Sequence, residues 1–304
     1  MIDLSVQIGE LRLKNPVLVA SGTFGYGKES AELVDLNALG GLITKSVTLK
    51  PRAGNPPQRI VELPAGMLNS IGLANVGVEA FVKEKLPFLN TIDTAVIVNV
   101  AGSTAEEFLA VVQQLENEEG IDAYELNFSC PNVKEGGLEF SQDPRVTAQV
   151  TTLIRRATRR PLIIKLTPNV TRISDIARAA KGSGANAVSL INTLVGMAVD
   201  VNTRRAKINT VTGGYSGPAV KPVALAKVYE VAQQVDIPIV GIGGIMNGRD
   251  ALEFLITGAT AIQVGTANFI DPRTSEKIIS ELKEYCQREG VHAIGEVIGT
   301  LRTT

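Results

Sequence analysis

The sequence contains few of the side chains on which disulfide, metal and histidine chemistry depend. Its 304 residues include two cysteines, Cys130 and Cys286, too few for a disulfide framework, a four-thiolate zinc site or an iron–sulfur cluster held by the chain itself. A single histidine, His292, excludes most catalysis that needs several imidazoles. We therefore predict no metal site, and we interpret His292 and Cys286 as surface or packing residues of a C-terminal helical segment.

Charge and hydropathy limit the classes of partner. Thirty Lys and Arg residues against 31 Asp and Glu residues leave a net charge of −1, and no basic stripe is present that could neutralise nucleic-acid phosphates. No uninterrupted apolar run approaches the roughly 18 residues of a membrane span, and the N-terminal stretch MIDLSVQIGELRLKNP lacks the pattern of a signal peptide. We expect no nucleic-acid partner, no membrane partner and a cytoplasmic location.

Short apolar segments alternate with amphipathic helical patterns along the chain. The segments are continuously apolar, which is typical of strands buried on both faces of a parallel sheet. They cover residues 17–20, 41–44, 95–100, 123–128, 161–166, 187–191, 238–242 and 260–264. Eight βα units in about 300 residues predict an α/β fold of the TIM (β/α)8 barrel type. The GxGxxG fingerprint of an open doubly wound sheet, the alternative fold, is absent.

Three further features extend this prediction. The segments LSVQI and LRL flank Gly9 and Glu10, which predicts an N-terminal β-hairpin that covers the N-terminal end of the barrel. Two connections, residues 46–80 and 194–220, are too long for plain loops, so we expect insertions that build a site or a lid over the C-terminal face. No linker composition interrupts the pattern, and residues 1–304 are predicted to form one domain.

Polar and small residues follow the apolar segments at their C-terminal ends, where barrel enzymes assemble their sites. These ends read ASG, TKS, NVAGS, NFSCPN, KLTPN, INT, GIGG and VGT. The last two bring small residues and backbone N–H groups to the place where barrels bind phosphate. Eight such ends together predict an active site on this face.

The lysines and asparagines at these ends indicate the kind of ligand. Lys45 and Lys165 could form a Schiff base or contact a phosphate, but a fixed cation beside a flavin ring, where it stabilises the anionic reduced form, fits better. Amide side chains carry both a donor and an acceptor. Several asparagines at one face therefore suit a planar ring edged with N–H and C=O groups, such as a pyrimidine.

Nine stretches spread over nearly the whole chain form a specific combination. They are ASGTFG (20–25), TKS (44–46), GNPPQRIVELPAGMLNSIGLAN (54–75), ELNFSCPN (125–132), IKLTPN (164–169), INT (191–193), GGYSGP (213–218), GIGGI (241–245) and VGTA (264–267). In this order they resemble the class 1 dihydroorotate dehydrogenases, and NSIGL together with NFSCPN is highly specific. The resemblance implies an FMN-bound α/β barrel that oxidises dihydroorotate to orotate in pyrimidine biosynthesis.

The resemblance also implies roles for individual residues. Cys130 occupies the position of the base that removes the C5 proton while a hydride leaves C6 for flavin N5. The implied FMN positions are Ser21, Lys45, Ser46, Asn99, Asn127, Lys165, Ile191, Gly217, Gly243, Gly244, Gly265 and Thr266. The implied orotate positions are Lys45, Asn69, Ser70, Ile71, Gly72, Leu73, Asn127, Asn192 and Thr193, with Asn132 as a further substrate contact.

The stretch NSIGLAN bears on the electron acceptor. Fumarate-using homodimers of class 1 resemble NSMGLPN here, so Ile71 and Ala74 favour the NAD-linked class 1B group. In that group the FMN subunit pairs with a second chain that carries FAD and a [2Fe-2S] cluster, which implies a homodimer of this chain within a heterotetramer. The open alternatives are a fumarate-dependent homodimer, a non-redox barrel enzyme acting on a phosphorylated metabolite, and a catalytically inactive binding protein.

Overall fold

The structure is a computed structural model that describes residues 2–128 and 140–303. The strands of this part of the chain are β1 (Val6–Ile8), β2 (Leu11–Leu13), β3 (Val17–Val19), β4 (Gly41–Ile43), β5 (Ile60–Leu63), β6 (Gly66–Asn69), β7 (Ala95–Val100), β8 (Ala123–Asn127), β9 (Leu162–Lys165), β10 (Ala187–Leu190), β11 (Leu194–Met197), β12 (Val199–Asp200), β13 (Arg205–Ala206), β14 (Thr212–Ser216), β15 (Ile239–Ile242) and β16 (Ala261–Val264). Eight of them close into a parallel barrel in the order β3-β4-β7-β8-β9-β10-β15-β16. The predicted TIM-barrel fold is confirmed, with every predicted apolar segment supplying one barrel strand.

The barrel strands are buried along almost their whole length, which explains their continuous apolar character. Every residue of β9, β10, β15 and β16 is buried, because one face of each strand fills the barrel interior and the other lies under the helices. Burial of each Val, Ile or Leu side chain stabilises the fold by about 1.5–3 kcal/mol. A polar side chain inside this barrel therefore requires a hydrogen-bonding partner.

Helices follow the barrel strands on the outside. They are α1 (Val78–Ala80), α2 (Leu86–Leu89), α3 (Ala105–Leu115), α4 (Pro144–Ala157), α5 (Ile173–Gly182), α6 (Lys221–Ala232), α7 (Gly248–Thr257), α8 (Ala267–Ile270) and α9 (Thr274–Glu289). A π-helical turn, Phe81–Lys85, joins α1 to α2. The connection after β3 is the irregular one, because it contains two short 3-10 helices, Lys28–Ser30 and Leu36–Ala38, in place of an α-helix.

The helix starts and the C-terminal segment follow simple local rules. Thr104 caps α3 by accepting a hydrogen bond from the Glu107 N–H, and Gly290, which is left-handed with φ 70°, caps the C-terminal end of α9. Cys286 is fully buried on α9, and burial raises the pKa of its thiol, so it is an inert packing residue. His292 is exposed after Gly290. The interpretation of both residues as packing or surface groups is confirmed.

The N-terminal hairpin pairs β1 with β2 through the turn at Gly9. Gly9 has a φ of 59°, and a Cβ atom there would lie 3.0 Å from Asn186, the residue just before β10. The left-handed conformation therefore favours glycine, and a side chain here would also press against Asn186. Because Asn186 marks the N-terminal end of a barrel strand, the hairpin lies at that end of the barrel, as predicted.

The two long insertions form one structure on the C-terminal side of the barrel. Strands β5 and β6 follow β4, strands β11 and β14 follow β10, and all four join in an antiparallel sheet of order β11-β14-β6-β5. The connecting pair is β6 with β14, in which Asn69 is opposite Gly214. A small separate core lies beneath the sheet, with Leu68 completely buried. The sequence predicts two insertions, but it does not predict that they pair.

Within residues 2–128 and 140–303, no helix combines the length and the apolar character needed to cross a bilayer.

Candidate active site at the carboxyl ends of the barrel strands

The predicted site residues of the described chain gather at one end of the barrel. Each belongs to the last residues of a barrel strand, to the loop that follows it, or to the sheet formed by the insertions. Ser21 follows β3, Lys45 and Ser46 follow β4, Asn99 is in β7, Asn127 ends β8, Lys165 ends β9, Ile191, Asn192 and Thr193 follow β10, Gly217 follows β14, Gly243 and Gly244 follow β15, and Gly265 and Thr266 follow β16. Parallel strands explain this convergence, because their carboxyl ends all meet on one face.

Cys130 and Asn132 lie outside the described residues, so the proposed base and one proposed substrate contact have no structural description. Lys45 is half-buried after β4, and its backbone N–H donates to the Gly25 carbonyl at 2.8 Å. This bond ties the end of β4 to the loop that follows β3.

A chain of buried polar side chains crosses the upper part of the barrel interior. The Ser46 hydroxyl donates to Asn99 Oδ1 at 2.5 Å, and Asn99 Nδ2 donates to Glu125 Oε1 at 2.7 Å. Asn99 and Glu125 are completely buried and stand opposite each other in β7 and β8. Because a buried amide without partners would cost several kcal/mol, about 2–7, these bonds hold Asn99 in one orientation.

Glu125 is the centre of this network and was not predicted as a site residue. Its Oε1 lies 3.4 Å from Lys165 Nζ, while its Oε2 accepts hydrogen bonds from the Ser189 hydroxyl at 2.8 Å and from Gln263 Nε2 at 2.6 Å. The sequence did contain a signal, since Glu125 is the one carboxylate within the apolar segment AYELNF. A charge inside a buried strand is rare unless it is paired.

Lys165 provides a buried positive charge at the end of β9. Its side chain is 8% exposed and Glu125 is completely buried, so neither charge has much contact with water. A buried ion pair is not by itself strongly stabilising, because desolvation of both ions offsets their attraction. In this site the ion pair fixes the position of a cation at the mouth of the barrel.

Two asparagines approach each other at the mouth, one at the end of β8 and one in the loop after β10. Asn192 Nδ2 lies 3.5 Å from Asn127 Oδ1, and both side chains are half-buried. Asn192 Oδ1 also accepts a hydrogen bond from the Thr193 N–H at 2.8 Å. The structure thus brings together three of the predicted substrate-contact residues.

Asn169 supports this region and was also missed as a positioning residue. Its Nδ2 donates to the Thr193 carbonyl at 3.1 Å, and its Oδ1 accepts from the Val195 N–H at 3.1 Å. Asn169 therefore fastens the loop after β9 to the start of the second insertion. The sequence motif KLTPN contains it, but a loop asparagine could not be distinguished there from an ordinary turn residue.

The segment from Asn69 to Leu73 leaves the insertion sheet in a constrained conformation. Gly72 has a φ of 71°, and a Cβ atom there would lie 2.6 Å from the Asn55 backbone nitrogen. Leu73 has a φ of 55°, a left-handed conformation that costs a non-glycine residue about 1–2 kcal/mol. Asn69 Nδ2 donates to the Gly214 carbonyl at 3.3 Å. A strained backbone conformation persists only where surrounding contacts hold it, and such positions often lie at binding sites.

The glycine loops at the ends of β14, β15 and β16 fall into two groups. Gly217, Gly243 and Gly244 have φ values of 116°, 130° and 73°, and a Cβ at Gly244 would lie 2.8 Å from the Lys221 backbone nitrogen. The fold itself requires glycine at Gly244. Gly265 differs, because a Cβ there would meet only Ala20 Cβ, at 3.7 Å. Packing within the described chain does not require glycine at Gly265, which leaves space for a ligand.

Comparison with known proteins gives a consistent result. A family model described as "Dihydroorotate dehydrogenase" matches residues 3–286. The chain is 53% identical over 300 residues to the "Dihydroorotate dehydrogenase B (NAD(+)), catalytic subunit" of Geotalea daltonii, which covers 99% of this chain and 98% of that protein. It is 54% identical over 299 residues to the protein of the same description from Geobacter sulfurreducens, covering 98% of each.

A solved structure is similar in fold. The crystal structure of DHODH from Eimeria tenella in complex with ferulenol matches with a TM-score of 0.84 and 22% sequence identity, covering 98% of this chain and 88% of that chain. At this identity the likeness concerns the fold alone.

Proposed function

Because this chain belongs to the dihydroorotate dehydrogenase family, we propose that it oxidises dihydroorotate to orotate for pyrimidine biosynthesis, with FMN as the hydride acceptor. The observation that carries the proposal in the structure is the convergence of Lys165, Asn127 and Asn192 at the mouth of the barrel. A fixed cation beside paired amides suits a flavin placed against a pyrimidine ring.

The residues present fit FMN. Gly265 leaves open space at the barrel mouth, next to the glycine loop after β15, and barrel enzymes bind phosphate at the ends of these last two strands. We propose that the phosphate end lies at the glycine loops and the ring end near Lys165. The residues proposed to hold FMN are Ser21, Lys45, Ser46, Asn99, Asn127, Lys165, Ile191, Gly217, Gly243, Gly244, Gly265 and Thr266. The proposed FMN-binding domain is the whole chain, 1–304.

The chain's own residues then bind and orient dihydroorotate. The proposed contacts are Lys45, Asn69, Ser70, Ile71, Gly72, Leu73, Asn127, Asn132, Asn192 and Thr193. Amides from Asn127 and Asn192 can donate to ring carbonyls and accept from ring N–H groups. Such contacts hold the C5–C6 bond in one orientation, which lowers the entropic part of the barrier.

The reaction removes one proton and one hydride from the substrate. We propose that the Cys130 thiolate takes the C5 proton, so that the C5–H electron pair forms the new C5–C6 double bond. The chemistry supplied by bound FMN is acceptance of the hydride that leaves C6. A free thiol has a pKa of about 8.5, so base action at neutral pH requires a neighbouring group that favours the thiolate or a concerted loss of both hydrogens.

We further propose that the electrons pass to NAD+ through a partner subunit. The relatives from Geotalea and Geobacter are described as catalytic subunits of an NAD+ enzyme, which supports a second chain. On this proposal the partner carries FAD and a [2Fe-2S] cluster, and a homodimer of this chain forms the centre of a heterotetramer. The use of NAD+ favours a cytoplasmic location.

An absorbance spectrum tests the redox reaction directly. The purified chain, reconstituted with FMN, should be yellow and should bleach anaerobically when dihydroorotate is added. A protein that binds no flavin would contradict the proposal and favour a non-redox barrel enzyme, whereas a yellow protein that dihydroorotate does not bleach would contradict the substrate. Co-expression with the partner, followed by an NAD+ reduction assay with fumarate as the alternative acceptor, separates the two acceptors.

A further inference from the structure

Glu125 is a buried carboxylate with no part in the reaction described above. It lies two residues before Asn127 in β8, level with Asn99 in the neighbouring strand β7. Its four hydrogen-bonding partners come from four other strands, namely Asn99 in β7, Lys165 in β9, Ser189 in β10 and Gln263 in β16. A solely local role would not require contacts to so many strands.

The partners of Glu125 are all groups that can donate a hydrogen bond. Asn99 Nδ2, Lys165 Nζ, the Ser189 hydroxyl and Gln263 Nε2 lie within hydrogen-bonding distance of its two oxygens. The two oxygens of a carboxylate accept several hydrogen bonds at once, so this one side chain joins β8 to four other strands. Lys165 is the cation of this group, in a region shielded from water.

We propose that Glu125 is a positioning residue for the flavin reaction, which holds the Lys165 ammonium in a fixed position at the end of β9. The Glu125 carboxylate is itself held by donors from three other strands, so the ammonium that it contacts has a defined place in the site. A cation fixed beside a flavin ring favours the reduced form of the ring. This inference rests on the proposed function, because Lys165 matters to the flavin only if FMN binds at the barrel mouth.

The Glu125→Gln substitution removes the charge and can preserve the packing. Gln263 Oε1 is buried and has no hydrogen-bond partner among the described residues. If the Gln263 amide rotates by half a turn, its Oε1 can accept a hydrogen bond from the new amide at position 125. After this rotation the Gln263 Nε2 group takes the place at which Oε1 had no partner, so the variant keeps the shape of the network but leaves a donor unpaired, while Lys165 loses the charge of Glu125.

The experiment measures the midpoint potential of bound FMN at pH 7 in a double-mutant cycle. The proteins compared are the wild type, Glu125→Gln, Lys165→Met, the double variant of these two, and Leu162→Ala. Leu162 is completely buried at the other end of β9, so its truncation controls for loss of packing without a change in charge. Melting temperatures of the FMN-free proteins are recorded in parallel.

The expected result is a non-additive cycle. Lys165→Met lowers the potential, because the cation that favours the reduced flavin is removed. Glu125→Gln changes the potential in the protein that contains Lys165 and changes it much less in Lys165→Met, because Glu125 acts through the Lys165 ammonium. Leu162→Ala has the wild-type potential and a lower melting temperature.

An equal effect of Glu125→Gln on the potential with and without Lys165, or no effect in either protein, would overturn the inference and leave Glu125 as a structural residue. That outcome would not affect the proposed function, because the wild type would still bind FMN and be bleached by dihydroorotate. If Glu125→Gln does not fold, Glu125→Gln combined with Lys165→Met removes both charges together. Recovery of the melting temperature in this double variant supports the proposed pairing, and no recovery contradicts it.

Discussion

Gly265→Ala is the substitution that most directly tests the proposed FMN site. A Cβ atom at Gly265 would meet only Ala20 Cβ at 3.7 Å, an ordinary van der Waals distance. The FMN-free variant should therefore be as stable as the wild type, or more stable by about 0.4–1 kcal/mol, because alanine restricts the unfolded chain. The added methyl group occupies space proposed for the ligand. Loss of one hydrogen bond to a charged group costs about 1.5–3 kcal/mol, so FMN affinity should fall about 10- to 150-fold.

Gly244→Ala is the matched control. Gly244 has a φ of 73°, and a Cβ there would lie 2.8 Å from the Lys221 backbone nitrogen. The left-handed conformation alone costs alanine about 1–2 kcal/mol, and the close contact adds to this, so the FMN-free protein should be destabilised. Urea denaturation of the FMN-free proteins and quenching of flavin fluorescence measure the two effects separately. The reasoning is refuted if Gly265→Ala binds FMN like the wild type, or if it destabilises the FMN-free protein as Gly244→Ala does.

Three other predictions address the base, the substrate contacts and a surface carboxylate. Cys130→Ala should retain FMN while dihydroorotate oxidation near neutral pH is lost, and normal oxidation would show that another group is the base. Asn192→Ala should raise the Kd for orotate about tenfold, the effect of roughly one lost hydrogen bond, with FMN affinity nearly unchanged; an unchanged Kd for orotate would remove Asn192 from the site. Burial favours a raised pKa for Glu230, but hydrogen bonds from the Ser174 N–H and hydroxyl and from Lys227 outweigh it and lower the pKa below the ordinary 4.5. The stability that ionised Glu230 contributes is therefore fully present above its ordinary pKa of 4.5. It is lost as the pH falls through the lower pKa that Glu230 has in the folded protein. Glu230→Gln should cost up to about 1 kcal/mol in urea denaturation at pH 7 and less at pH 4, whereas an equal cost at both pH values would contradict this account.

The barrel could be predicted because its signals are local. Each barrel strand is buried on both faces, so its residues form a continuous apolar segment that is recognisable without its neighbours. The insertion sheet gives no such signal. Strands β5 and β11 alternate between exposed and half-buried residues, and β6 pairs with β14 across a gap of about 145 residues. The hydrogen bonds that define this pairing are non-local, so composition and periodicity do not reveal it.

The site residues show the same difference between local and non-local signals. Asn127 and Lys165 could be identified because they end apolar segments at a predictable face and match a motif. Glu125 could not, because it is within a segment and its importance depends on donors from four other strands. A lone carboxylate in an apolar run indicates a buried charge, but its partners are set only when the barrel closes.

The sequence by itself determined the barrel class, the face that bears the site and the family resemblance, because strand burial and motif spacing are properties of the chain order. The tertiary structure alone decided which polar groups meet. Pairing of β8 with β9 brings Glu125 within 3.4 Å of Lys165 Nζ, and barrel closure brings Gln263 Nε2 of β16 within 2.6 Å of Glu125. The joining of the two insertions places Asn69 opposite Gly214. These contacts depend on distances in space between residues that are far apart in the chain, and hydrogen bonds and ion pairs act only over such short distances.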